Sequence, residues 1–541
     1  MTELVLWVDA VCINQGDLEE KSTQVAMMGE IYSRCSTVFL WLGAPESSDD
    51  IYAESRPDPF AVLRQLANNC HLYELPGFKG GQESGQITFQ ENDACLDAWE
   101  AFFLVATSPW FKRSWTVQET VLPRTAIAVL GPWRMSFEDI TIARQNRNAH
   151  LFGPPSHTCR CHESLKMLPS HLRSTLDRLF AQVEDLEMFR HIEHRDNVVH
   201  ADEYRAGSGL FDSSGNCTVP FFELVRTFAS RQCQDPRDKI FSLAAMAKAP
   251  AYDTFVPDYR VDTVACYIGI FRQMLEECGY DFRCFVGSCY GSSSPELTGL
   301  PSWVCDFSSP NMNPGQELRR LQVYNLYNAS GSKTGVPRIC KCTELHLSGA
   351  YVDTIKQVDQ GFENRRTCVD PQAVFSRWIR MCEHAIGSTD REQVRRAMVS
   401  VLCGTVVADW SFRRTRDKGG AEEPCLLNES EWQRLIGGDL HGLPLEWEIG
   451  FGIAVDGRCF FVTERGKMGF TVKDAREGDE VWVPFGSKVP FVLRRLPRKL
   501  PTEGKLRLCG THSFVGDCFL ENAMDGEAVN DADHGETIIL L

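Results

Sequence analysis

Asp9 interrupts a run of apolar residues, Leu4 to Val8 in LVLWVDAVCINQ, that reads as a strand covered on both faces. In an open α/β sheet, ligands and catalytic groups gather where strands end, so a carboxylate closing a buried strand is a candidate for ligand contact. Its ordinary alternatives are to cap the next helix or to bond Asn14. Cys12 has no histidine near it in the sequence and is expected to be a buried, inert thiol. His157, Cys159, Cys161 and His162 form the densest group of metal-type side chains. Structural zinc takes paired ligands about two to four residues apart and a second pair further on, a spacing this group lacks, so no metal site is expected. Arg237 and Asp238, within Asp-Pro-Arg-Asp-Lys, suit a local ion pair that orients a loop. The phosphate-cradling patterns GxxxxGKS/T and GxGxxG and the nucleophile elbow GxSxG are absent.

The elements that must position these residues follow from periodicity. Asp17 with Glu20 fits a capping box, Glu19 and Glu20 put negative charge at the positive end of a helix, and Val25, Met28, Tyr32 and Cys35 line one of its faces. A second apolar run, Val38 to Leu42, stops at Gly43 and Pro45. Strand, helix and strand make a βαβ unit, hence a parallel sheet with a right-handed crossover. Helices are expected near Phe60–Cys70 and over Ala94–Thr107, the second packing Leu96, Trp99, Phe103 and Ala106, with a glycine-rich loop at Gly77, Gly80, Gly81 and Gly85 between them. Trp115–Val121 continues as helix after Pro109, and Ala126–Gly131 as strand. Further helices fall near Phe137–Arg147, Leu172–Arg190, Phe221–Arg231 and Val264–Cys278.

Downstream, Leu345–Ile355 reads as a strand that leads into a helical stretch, Pro371–Leu402. After Glu448, short strands such as Cys459–Thr463, Val481–Pro484 and Pro490–Arg494 alternate with glycines, and Val515–Glu527 closes a small β-barrel or sandwich. The organisation expected is an α/β domain over 1–260 with helical insertions, a mixed, largely helical region over 261–440, and a β-rich domain over 441–541. No period of about 20–50 residues marks a repeat architecture.

Composition sets the outer limits. A chain of 541 residues exceeds one ordinary core, and 43% hydrophobic with 24% charged residues is a globular balance. The formal net charge of -17 repels phosphate backbones, which argues against nucleic acid as a partner. The 22 cysteines follow no framework and no secretory signal opens the sequence, so reduced thiols and a cytoplasmic location are expected. No run approaches the roughly 20 apolar residues of a transmembrane helix.

The block LWVDAVCINQGDLEEKSTQVAMMGEIYSRCSTVFLWLG resembles the central block of the fungal heterokaryon incompatibility (HET) domain. Trp7, Asp9, Cys12, Ile13, Asn14, Gln15, Glu20, Gln24, Met28, Ile31, Tyr32, Trp41, Leu42 and Gly43 fall in order on its pattern. Pro109, Trp110, Phe111, Arg113, Trp115, Gln118 and Glu119 match a second HET block, the segment holding Arg237 and Asp238 a third, and Leu300-Pro-Ser-Trp-Val-Cys-Asp306 an element found downstream of HET domains. HET domains usually open with a further strand and a Leu-Ser-Tyr-x-Trp-Gly block, so the resemblance implies an N-terminally truncated domain with an apolar edge uncovered.

That resemblance implies non-self recognition that triggers programmed cell death, the domain acting as a signalling or self-assembling module through protein partners. HET domains are in turn distantly similar to Toll/interleukin-1 receptor (TIR) domains, flavodoxin-like parallel α/β modules, some of which cleave NAD. Their catalytic glutamate stands in Trp-x-x-x-Glu, the spacing of Trp115 and Glu119. By this likeness Glu119 would stabilise an oxocarbenium-like state, Asp9 would face the same crevice, and Trp110 or Trp115 would stack on a ring of NAD. An inactive truncated paralogue is the remaining alternative.

Overall fold

The computed structural model describes residues 5–44, 57–81, 86–152, 159–194, 220–247, 255–287, 297–309, 314–341, 343–364, 368–408, 412–414, 427–440, 443–497, 510–529 and 535–541. The chain divides into two compact units. The first comprises Met1–Val199, Arg231–Ala247 and Phe255–Arg260; the second comprises His200–Ser230, Lys248–Thr254 and Val261–Leu541.

In the N-terminal unit the expected first strand does not form. Leu4 lies outside the described residues, and Val5, Leu6 and Val8 carry no strand pairing, with 88%, 58% and 47% of their surfaces exposed. Asp9 therefore does not close a strand; it opens a single helical turn, α1 (Asp9–Cys12), and accepts a hydrogen bond from the backbone N–H of Ala10. A strand needs a neighbour's ladder, and none reaches this segment among the described residues.

Helix α2 (Leu18–Arg34) starts where the charge pattern places it. Asp17 accepts from the N–H groups of Glu19 and Glu20, while Glu20 reaches back past Asp17 to the N–H of Asn14, so half of the expected capping box is made. Val25, Met28 and Tyr32 are buried on its inner face, and Cys35 is the half-buried cap. Strand β1 (Val38–Gly43) then pairs in parallel with β2 (Ala126–Leu130), and β2 pairs antiparallel with β3 (Trp133–Ser136). This small sheet thus holds one parallel pair, with β1 at its edge.

Helices α3 (Ala61–Ala67), α4 (Asp93–Ala106), α5 (Thr116–Val121), α6 (Phe137–Phe152), α7 (Cys161–Met167) and α8 (Ser170–His194) also belong to the unit, with a single turn at Asp238–Phe241 and a short hairpin of Phe78–Lys79 and Thr88–Phe89. In α4 the buried face is Cys95, Trp99, Phe102, Val105 and Ala106, whereas Leu96 and Phe103, expected inside, are 45% and 50% exposed. An apolar residue on every side of this helix leaves its periodicity ambiguous, and packing chooses the face.

The C-terminal unit is built on a closed sheet. Its main strands are β4 (Glu344–Asp359), β5 (Arg458–Thr463), β6 (Met468–Val472), β7 (Glu480–Pro484), β8 (Phe491–Arg495), β9 (Thr511–Leu520) and β10 (Glu536–Leu540), and a short strand at Arg338–Cys340 pairs with β4. The order β5-β6-β9-β8-β7-β4 returns to β5, because β4 pairs with β7 through Gly349–Thr354 and with β5 through Ile355–Asp359. Closure removes free edges from that ring. Strand β4 lies well ahead of the residues expected to form the β-rich domain, and its first half pairs with β10. Val352, Ile355, Phe461, Val481, Val483, Val492, Val515 and Leu520 fill the interior. Outside it, Trp378 is fully buried against Phe362, Phe375, Phe460 and Phe470 and donates to Asp359.

Candidate functional site

The sequence-predicted residues converge on the start of α5. Ser108 bonds its hydroxyl to the carbonyl of Leu42 and caps a turn at Pro109–Lys112, which seats Trp110 beneath α5. The indole of Trp110, 4% exposed, donates to Glu119 Oε2 at 3.2 Å. Burial raises the Glu119 carboxyl above the usual glutamate range. Arg113, the Trp110 bond and Arg231 pull it down, and Asp9 pushes it further up. Tyr32, from α2, stands in the same field: burial first, then Glu119 and Asp9, raise its hydroxyl, and Arg113 opposes them. Trp7 meets the Tyr32 ring edge-on at 5.9 Å. Asp9 and Glu119 are thus brought into one electrostatic neighbourhood, though Asp9 arrives on a helical turn.

Two charged residues that sequence reasoning passed over complete this group. Arg231 is buried at the back of α5, where its guanidinium donates to Thr116 Oγ1 at 2.7 Å and to the carbonyl of Arg113. Burial lowers it to about 10, against the attraction of Asp185 and Glu119. Asp185, on α8, is pushed up to about 7 by burial and by Glu184. The only signal in the sequence was a charge beside an apolar stripe, Val183 and Leu186 around Asp185 and Phe228 and Ala229 before Arg231.

Other predicted residues lie elsewhere or do other work. Trp115 is half-buried and hydrogen-bonds Asp238, which also accepts the Tyr259 hydroxyl; burial nonetheless raises Asp238. Arg237 does not pair with Asp238. It forks onto Asp235 at 2.9 and 2.7 Å, donates to the Tyr259 carbonyl and lies over the Tyr259 ring. Gln118 is buried and donates to the carbonyl of Phe241. Cys12, expected inside, is exposed, because the end of α1 turns its neighbour Ile13 inward instead. Asn14 and Gln15 are also exposed, Asn14 holding the turn through the N–H of Gly16. A cleft of about 320 Å³ bounded by Pro57, Pro59, Glu100, Leu104 and Trp133 shares no residue with this group.

The comparisons with known proteins fall on the same two regions. Residues 1–119 match the family "Heterokaryon incompatibility protein (HET)", a match that ends at Glu119, and residues 447–540 match the "Het-6 beta-barrel domain". "Heterokaryon incompatibility protein 6, OR allele" of Neurospora crassa is 32% identical over 98% of this chain and 82% of its own length. The chain belongs to the heterokaryon incompatibility family. No solved structure matches it. Within the HET region the Glu119 group lies at the end of the match, while Asp185 and Arg231 lie beyond it, contributed by helices and turns that pack behind α5. No helix among the described residues is long and apolar enough to cross a membrane.

Proposed function

We propose that this protein acts in heterokaryon incompatibility, recognising non-self and triggering programmed cell death. The observation that carries this reading is the near-full-length likeness to a protein named for that process, spanning both the HET region and the barrel. The N-terminal unit acts as the signalling and assembly module, working through protein partners or other copies of the chain. Phe39 and Trp41, 43% and 57% exposed on strand β1, which has no second strand partner among the described residues, support that role as apolar surface, as do the exposed Val5, Leu6 and Val8. The test is to express the full chain in fungal strains that carry matching and divergent alleles of its locus, then score fused cells with a vital dye. Death confined to divergent pairings supports the proposal; equal survival in both overturns it.

A second reading is favoured by the Glu119 geometry. A recessed carboxylate held by Trp110 and flanked by Arg113 suits stabilisation of positive charge on a sugar, as in TIR-like cleavage of NAD at its nicotinamide bond. Incubating the full chain with NAD tests it: nicotinamide release that Glu119→Gln abolishes, with an unchanged melting curve, is the expected result. Absence of nicotinamide from a form that kills cells rejects it.

A further inference from the structure

We infer that the N-terminal unit binds one structural zinc ion through His71, His150, Cys159 and Cys161. One ligand atom from each of these four side chains lies within 4.8 Å of all the others. With Zn–S near 2.3 Å and Zn–N near 2.0–2.1 Å, the N···S edges of a tetrahedral site are about 3.6 Å long. The distances from His71 Nδ1 to Cys161 Sγ and from His150 Nδ1 to Cys159 Sγ are 3.4 and 3.5 Å. The group is therefore already near the dimensions of a tetrahedral coordination shell.

Its surroundings suit an ion. Cys161 is fully buried, the other three residues are half-buried, and the rings of His71 and His150 meet at 4.5 Å. The backbone N–H of Leu72 donates to Cys161 Sγ at 3.3 Å, the kind of outer bond that orients a thiolate ligand. His71 is braced by stacking on Tyr73.

Sequence spacing missed the arrangement because one ligand, His71, comes from far away in the chain and another, His150, stands nine residues before Cys159, outside the usual paired spacing. His162, next to Cys161, is exposed on α7, and His157 lies outside the described residues. The cysteines meet instead His150, near the end of α6, and His71, just before the 3₁₀ turn Leu72–Glu74. Two thiolates and two imidazoles in a tetrahedron select zinc over harder cations, and four protein ligands leave no open position for substrate. On binding, hydrated Zn²⁺ sheds its waters and each thiol releases one proton, so the two thiolates balance the ion's charge. The ion would clamp the end of α6, the start of α7 and the turn after His71.

The test is elemental analysis of the full chain, purified without chelator or affinity tag, together with the optical spectrum after cobalt replacement. Expected are one zinc per chain and the intense visible bands of tetrahedral cobalt with thiolate charge transfer. Cys161→Ser and His150→Ala should lower affinity by more than the roughly 10- to 100-fold that loss of an outer partner costs, while His162→Ala leaves it unchanged. A wild-type chain that holds no zinc and gives only the weak spectrum of six-coordinate cobalt overturns the inference, whether or not the variants fold. So does a Cys161→Ser chain with undiminished zinc affinity.

Discussion

The barrel of the C-terminal unit and the α5 site of the N-terminal unit stand in contrast in their β-structure and in how charge is partnered. In the C-terminal unit the sheet closes on itself, and Arg458 and Asp517, each with a side chain 5% exposed, are matched one to one. In the N-terminal unit a three-stranded sheet ends in an edge with exposed aromatic residues, and the charges around α5, buried Arg231 with half-buried Glu119 and Asp185, form a loose series with Asp9 and Arg113 at its rim. A closed sheet with paired charge gains stability but offers a partner little backbone. An open edge beside mismatched carboxylates is less stable and better suited to docking and to response.

The largest effect should come from breaking the paired charge. Asp517→Ala strands Arg458 inside the unit and is expected to cost about 3–5 kcal/mol, seen as a lower urea midpoint. Replacing both partners together, Arg458→Met with Asp517→Leu, should recover most of that loss.

Next in size is the pH response of carboxyls raised by burial. Asp185 moves from near 4 when unfolded to about 7 when folded. The folded state therefore keeps its proton across that window, and stability is full below pH about 4 and declines as pH rises toward about 7. Asp185→Asn should flatten that decline, worth on the order of a few kcal/mol, with little change at pH 4 in thermal melts. Glu223 in the C-terminal unit, also pushed up to about 7 by burial, predicts the same sign for Glu223→Gln. If only one of the two variants flattens the profile, the two units titrate differently.

Glu119→Gln keeps an acceptor for Trp110 and removes a charge that burial disfavours. Its melting temperature should equal or slightly exceed that of the wild type at pH 8, which would mark Glu119 as held for function at some expense of stability. The smallest expected change in stability is for Trp41→Thr on the edge strand, within about 0.5 kcal/mol. Sedimentation should nevertheless show weaker self-association. Unchanged self-association would remove the contrast between the open and the closed sheet.

What could be read from the sequence depended on how local the cause was. Helix α2 announced itself through Asp17, Glu19, Glu20 and an apolar stripe, all within a few turns, and β1 through a short run ended by glycine. The barrel strands were readable from their turns, but not the recruitment of β4, because pairing across a long stretch of chain leaves no local mark. The Leu4–Val8 run failed because apolar composition gives the propensity for a strand without supplying a neighbour. In the candidate site, Glu119 and Asp9 stood in recognisable blocks, whereas Arg231 and Asp185 are defined by burial, a tertiary property. Trp115 had the expected spacing from Glu119, yet it is Trp110 that holds the carboxylate, since a turn can bring a more distant indole closer than the helix's own i,i+4 geometry.

The pairing of Leu345 with Leu540 has a consequence for how the protein is made. A ribosome emits β4 long before β10, so the nascent chain must carry an unfinished ladder while roughly the last third of the sequence is translated. Until then, loop closure over that span has no reward, and hydrophobic strands wait with their hydrogen-bonding groups free. The N-terminal unit, Met1–Val199 with Arg231–Ala247 and Phe255–Arg260, has no such delay imposed by β10 and can mature during synthesis. Chaperone demand should therefore concentrate on the later part of translation, and slowing elongation there should change the yield of folded barrel more than slowing it near the start.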